Sequence, residues 1–196
     1  FLENSGQEED KKPVPRSDAY ELYLKGRESW NLKTPPDLKK AIDYFERAIV
    51  MDSTYAAAYS GKADCYTALG YGSFMAPREA FPKAKESAIK ALKLDATLAE
   101  AHASLGFYKF YYDWDWAAAE QELRMAIALN PNYEIALDMY GYYLTAMERY
   151  DEATTILKKA KEIDPLSVPI NTDMGFSSYY RGNYDTAIKE LQSSLQ

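Results

Sequence analysis

From Leu137 to Pro165 the chain reads LDMYGYYLTAMERYDEATTILKKAKEIDP, and this stretch decides the fold. Leu137, Tyr140 and Leu144 recur at the spacing of one helix face, and Tyr150, Leu157 and Ile163 mark a second helix. Gly141 and Ala153 are small where two helices of a hairpin must cross closely. Pro165 stops the second helix, because proline cannot continue one. The stretch is one helical hairpin with its bulky side chains on the inside.

The same hairpin recurs on either side. Small residues stand at Gly26, Ala63, Gly106, Gly141 and Gly175. Alanines stand at Ala41, Ala84, Ala119, Ala153 and Ala187, and a further set seven residues later at Ala48, Ala91, Ala126 and Ala160. The chain turns after each second helix at Asp52-Ser53, Asp95-Ala96, Asn130-Pro131 and Asp164-Pro165. Successive units settle to a spacing of 34 residues, as from Ala119 to Ala153 and on to Ala187. A unit this short cannot bury its apolar side alone and must stack on its neighbours. The sequence therefore predicts an all-α superhelix, a solenoid of about five hairpins. The units fall at about 19–53, 56–96, 99–132, 134–166 and 168–196, the last one truncated. Residues 1–16, with charge and two prolines but little apolar content, read as a disordered tail.

The fourth unit, through Leu137, Tyr140-Gly141, Leu144, Tyr150, Ala153, Leu157, Ala160 and Pro165, resembles the tetratricopeptide-repeat family at every diagnostic position. The third matches through His102, Leu105-Gly106, Trp116, Ala119, Leu123, Ala126 and Pro131, and the fifth through Met174-Gly175, Tyr184 and Ala187. The first two are looser, with Ser53 and Ala96 where the family usually has proline. The run from Ala101 to Gly106, followed by Tyr112 to Trp116, is similar to arrays appended to bacterial signalling proteins that carry winged-helix, cyclase or kinase domains elsewhere. The resemblance implies a protein-interaction scaffold that binds a protein or peptide and is not an enzyme. The alternative it implies is the sensory or regulatory arm of a larger signalling protein.

The units differ in the stretch between their small residues. Gly141 to Ala153 is 12 residues, Gly106 to Ala119 is 13, Gly26 to Ala41 is 15 and Ala63 to Ala84 is 21. The excess is expected in the turn inside each hairpin, along one edge of the solenoid. The largest insertion, about Leu69 to Phe81, carries Tyr71, Phe74 and Met75, an edge loop that either folds back or contacts a partner.

Composition narrows the function. A net charge of −7, with no basic stripe, disfavours nucleic acid. No apolar run approaches a membrane span, so a soluble, cytoplasmic chain without membrane insertion is expected. Phe1 is not a methionine and no signal peptide follows, so the sequence reads as a piece of a longer protein or a processed chain. One cysteine, Cys65, and one histidine, His102, are too few for a zinc site. No phosphate loop is present, the repeat places Cys65 and His102 poorly for a nucleophilic pair, and no cofactor or metal is expected. Asp113, Asp115 and Glu120 flank a helix start, where acidic residues cap free amides. His102 and Cys65 are expected packed within their hairpins, Trp116 in the core with Tyr150 and Tyr184, and Trp114 partly exposed.

In a stack of such hairpins the first helices line the concave side. The register turns inward Asp64 in the second unit, and Glu100, Phe107, Phe110 and Tyr111 in the third. Asp138 and Tyr142 follow in the fourth, then Phe176, Tyr179 and Tyr180 in the fifth. This groove is aromatic and mildly acidic, suited to a peptide with apolar anchors and a basic residue. The family's carboxylate-clamp positions are neutral, acidic or aromatic here, which argues against chaperone-tail binding. The face of Ile188, Leu191 and Leu195 is expected to meet further repeats or to form a homodimer through the last repeat.

Overall fold

A computed structural model describes residues 16–194; nearly all of the expected tail, and Leu195, lie outside them. Among the described residues ten α-helices follow in order: α1 Ser17–Asn31, α2 Pro35–Met51, α3 Ala56–Tyr71, α4 Pro77–Leu94, α5 Ala99–Tyr108, α6 Trp116–Leu129, α7 Glu134–Ala146, α8 Tyr150–Ile163, α9 Val168–Tyr180 and α10 Tyr184–Ser193. No strand occurs among the described residues. Consecutive helices pair as hairpins, and each first helix also packs on the first helix of the next unit: α1 on α3, α3 on α5, α5 on α7, α7 on α9. These contacts make the first helices one continuous layer, the inner wall of a solenoid.

The repeated alanines do what their size predicts. Ala41, Ala48, Ala84, Ala91, Ala119, Ala126, Ala153, Ala160 and Ala187 are all buried where second helices meet their neighbours. Leu38, Leu69, Leu123, Leu137, Leu144, Leu157 and Ile170 fill the space between them. Between second helices and the next unit, Asp52 Oδ1 accepts from both the amide and the hydroxyl of Thr54, at 2.9 and 2.7 Å. Asp95 does the same for Thr97, so a side-chain turn replaces the proline missing from the first two units.

Phe45 of α2 is fully buried between two glycines of successive first helices. A Cβ on Gly26 would stand 2.5 Å from its Cε1, and one on Gly61 2.5 Å from its Cζ. The ring is clamped on both sides and cannot step away. Gly61→Ala should therefore destabilise the chain by roughly 1–3 kcal/mol through overpacking, although alanine in a free helix would gain about 1 kcal/mol over glycine. Urea unfolding of the variant checks this; an unchanged or raised midpoint would show that Phe45 has room.

Two expectations change. The large insertion of the second unit is mostly helix: α3 runs on to Tyr71 and α4 begins at Pro77, leaving only residues 72–76 as loop. Phe74 is exposed and Met75 half-buried, while Tyr71 belongs to the inner helix. Trp116, expected in the core with Tyr150 and Tyr184, is 46% exposed, and Tyr184 is 60% exposed. Trp116 opens α6, where the hairpin is not yet closed, and its ring lies against that of the exposed Trp114.

Candidate functional site

The inner layer carries a row of aromatic rings that crosses three units. Tyr71, at the end of α3, sets its edge against Phe107 and Tyr111, at 5.4 and 5.2 Å between centroids. Phe107 and Tyr111 stack at 4.4 Å, and Tyr111 stacks on Tyr142 of α7 at 5.8 Å. Phe110 meets Tyr111, Tyr142 and Tyr143 edge-on. Such pairs add about 0.5–1.5 kcal/mol each beyond burial, so the row is held in place before anything binds. Burial, together with hydrogen bonding to the hydroxyls of Tyr142 and Tyr71, pushes the Tyr111 phenol far above its ordinary pKa.

The one extra residue of the third unit creates the position of Phe110 and Tyr111. After Tyr108 the helix widens into a π-turn over Lys109–Asp113, closed by the Asp115 amide donating to the Lys109 carbonyl at 3.0 Å. Trp114 then takes a left-handed backbone (φ 57°), and the Asp115 side chain caps α6 by accepting from the Ala118 amide. Between this turn and the α7–α8 turn opens a cavity of about 450 Å³. Its walls are Phe110, Tyr111, Trp114, Trp116, Tyr142 and Met147, with Glu148 at the rim.

The other expected groove residues are placed as follows. Glu100 and Asp138 are half-buried, and Phe176, Tyr179 and Tyr180 are exposed as a second aromatic group on α9. Asp64 and Phe107, expected to be presented in the groove, are buried by the neighbouring first helices. Asp64 accepts from Arg27 at 3.0 Å and from Ser104 at 2.7 Å; burial still lifts its carboxyl to about 6. Asp173 of α9 was not among the expected residues. It shares a face with Phe176 and Tyr180, at i+3 and i+7, which is the signal that finds it.

Several other ionisable groups are partnered. Glu120 accepts from Arg149 at 2.8 Å and Tyr140 at 3.0 Å, and Asp113 accepts from Tyr108 at 2.7 Å. Cys65 is buried. His102 lies 2.7 Å from a Glu122 oxygen through Nδ1 and 3.1 Å from the Ala96 carbonyl through Nε2, while Lys109 donates to the other Glu122 oxygen at 2.9 Å. The hydrogen bond to Glu122 holds the imidazole above its ordinary pKa. That contribution to stability is present below about pH 6.5 and is lost as the pH rises through the folded value. In Glu122→Gln the ring-proton NMR titration should move to lower pH; an unmoved midpoint would mean Glu122 does not set it.

Stacked hairpins with a continuous inner wall define a helical-repeat solenoid of the kind built for protein interaction. No family model matches the chain. It is 26% identical over 179 residues to the transcriptional regulator HilA of Salmonella typhimurium, covering 90% of this chain and 32% of that protein. The chain thus spans about a third of the length of that curated relative. It is 35% identical over 83 residues to the TPR repeat-containing protein PA4667 of Pseudomonas aeruginosa, 42% of this chain and 14% of that one. Among solved structures, the TPR protein TTC0263 of Thermus thermophilus superposes over 90% of both chains with a TM-score of 0.72, at 16% identity. The fold is that of the tetratricopeptide-repeat structures.

Proposed function

We propose that this chain is a protein-interaction module that binds a peptide segment of a partner along its first-helix face, without catalysis of its own. The single observation that carries this is the row Tyr71, Phe110, Tyr111 and Tyr142, fixed by mutual ring contacts and opening onto a 450 Å³ cavity. Rigid aromatic side chains lose little entropy on binding and dominate recognition surfaces. The exposed rings of Phe176, Tyr179 and Tyr180 extend the surface onto the next unit. Tyr142→Ala and Tyr179→Ala together should weaken partner binding about 30-fold or more, the scale of losing a hot spot. Isothermal titration with a captured partner reads this, and an unchanged affinity would remove the aromatic face from the interaction.

The alignment with HilA over 90% of this chain favours a second reading, in which the array is the regulatory arm of a larger signalling protein. A winged-helix, kinase or cyclase domain in the same reading frame would support it. Self-association through α10, where Ile188 is 54% exposed, is tested by sedimentation; a monomer at every concentration would remove it.

A further inference from the structure

Several carboxylates drawn into this array have a cation beside them. Asp64 has Arg27, Glu120 has Arg149, and Glu122 has Lys109 and His102. Asp138 and Asp173 do not. They lie on the inner faces of adjacent first helices, α7 and α9, and neither is in an ion pair among the described residues. Asp138 Oδ1 is closed off from solvent and has no hydrogen-bond partner. Each carboxyl is pushed up by burial, Asp138 further by the nearby charge of Asp173, and no basic side chain pulls either back down. A buried carboxylate without a partner is costly, and two together more so. The pair adjoins the aromatic row. Asp138 precedes Tyr142 by one helical turn, and the charges of Asp173 and Asp138 reach the Tyr71 hydroxyl on α3.

The geometry points to a receptor for one lysine or arginine side chain of a partner's peptide, its charge met by Asp138 and Asp173 and its stem lying beside the Tyr142 and Tyr71 rings. Cations sit favourably over tyrosine faces, and carboxylates add the charge-assisted hydrogen bonds that fix position. The two aspartates supply the complementary charge that the array leaves uncompensated. The inference rests on the proposed groove and adds the chemistry of one position within it.

Selection of random peptides about twelve residues long against the whole chain separates the two ideas. The result expected is a set of binders sharing one basic residue at a fixed distance from apolar anchors. Their affinity should fall about thirtyfold in Asp138→Asn/Asp173→Asn and stay unchanged in Glu162→Gln/Asp185→Asn, a variant of equal charge altered on exposed positions. Binders that are lost with Tyr142→Ala but indifferent to Asp138→Asn/Asp173→Asn would overturn the cation site and leave the groove standing. Binders indifferent to Tyr142→Ala would overturn both. Titration of butylguanidinium ion gives an independent reading: shifts of the Tyr111 and Tyr142 ring protons in the wild type, absent from the aspartate variant, are expected. Identical shifts in both proteins would sink the proposal.

Discussion

Asp138→Asn/Asp173→Asn is expected to stabilise the chain at pH 8, by about 2–4 kcal/mol in the unfolding free energy. The gain should shrink or vanish at pH 5. In the folded chain burial lifts the Asp173 carboxyl from 3.8 to about 7, and burial together with the charge of Asp173 lifts Asp138 well above its ordinary range. Both are raised above their unfolded values. Below about pH 4 both states hold the protons and the contribution to stability is complete. As the pH rises through about 7 the unfolded chain has already ionised, and the folded chain must follow into an environment that resists charge. The contribution is then lost. Asparagine never ionises, so the variant escapes the loss, although its amide inherits the lack of a partner at Asp138 Oδ1. For a chain of this size the effect corresponds to roughly 4–16 °C in melting temperature. His102 and Asp64, also raised, tilt the wild type the same way, so only the difference between the two proteins isolates the pair. Thermal melts at pH 5 and pH 8 decide it: a variant less stable than the wild type at both values would mean that the carboxylates already have partners. A gain at pH 8 would show stability given up at the position where a partner's cation is proposed to sit.

The sequence made the hairpins legible because each depends on residue size at a fixed spacing. Ala119, Ala153 and Ala187 are buried for the same geometric reason. The turns inside the hairpins were less legible. Each contains one residue with a left-handed backbone, at Lys33, Ser73, Trp114, Glu148 and Gly182, and only the last is glycine. The helix-capping signal is therefore missing from four turns of five, and the lengths of α3 and α4 could not be read through the Leu69–Phe81 insertion. The candidate site was legible as a face but not in depth. Strict repetition places Asp64, Asp138 and Phe107 alike on the inner wall. The closeness of successive first helices then decides that Phe107 is covered while Tyr142 stays open. Asp173 was missed because the 34-residue shift maps Asp138 onto Thr172, one position short. The cavity beside Trp114 was invisible because it depends on a π-turn, which one surplus residue permits but does not dictate.

Arg27→Met should lower stability by about 3–5 kcal/mol, because it leaves the Asp64 carboxylate buried without its cation. Arg27 of α1 donates to Asp64 of α3 at 3.0 Å, and Ser104 of α5 donates to the other carboxylate oxygen at 2.7 Å. One carboxylate thus ties the inner helices of three consecutive units. Arg27 also lies over the buried Trp30 ring, its guanidinium carbon 4.5 Å from the centroid, so methionine keeps part of the packing and loses the charge. Asp64 is 7% exposed and cannot turn to water. It must take up a proton instead, and the loss should be larger at pH 8 than at pH 5. Replacing the whole network, as Arg27→Met/Asp64→Leu/Ser104→Ala, should recover most of the stability, since a packed apolar set equals or exceeds a buried ion pair. The three positions are in contact and their effects will not add. In a repeat array stability is passed between neighbours, so the single variant should open α1 first. Hydrogen exchange should accelerate in α1 and α2 while α7 and α8 keep their protection. Uniform acceleration across all the helices would show that Arg27 supports the whole array and not the junction of its first three units.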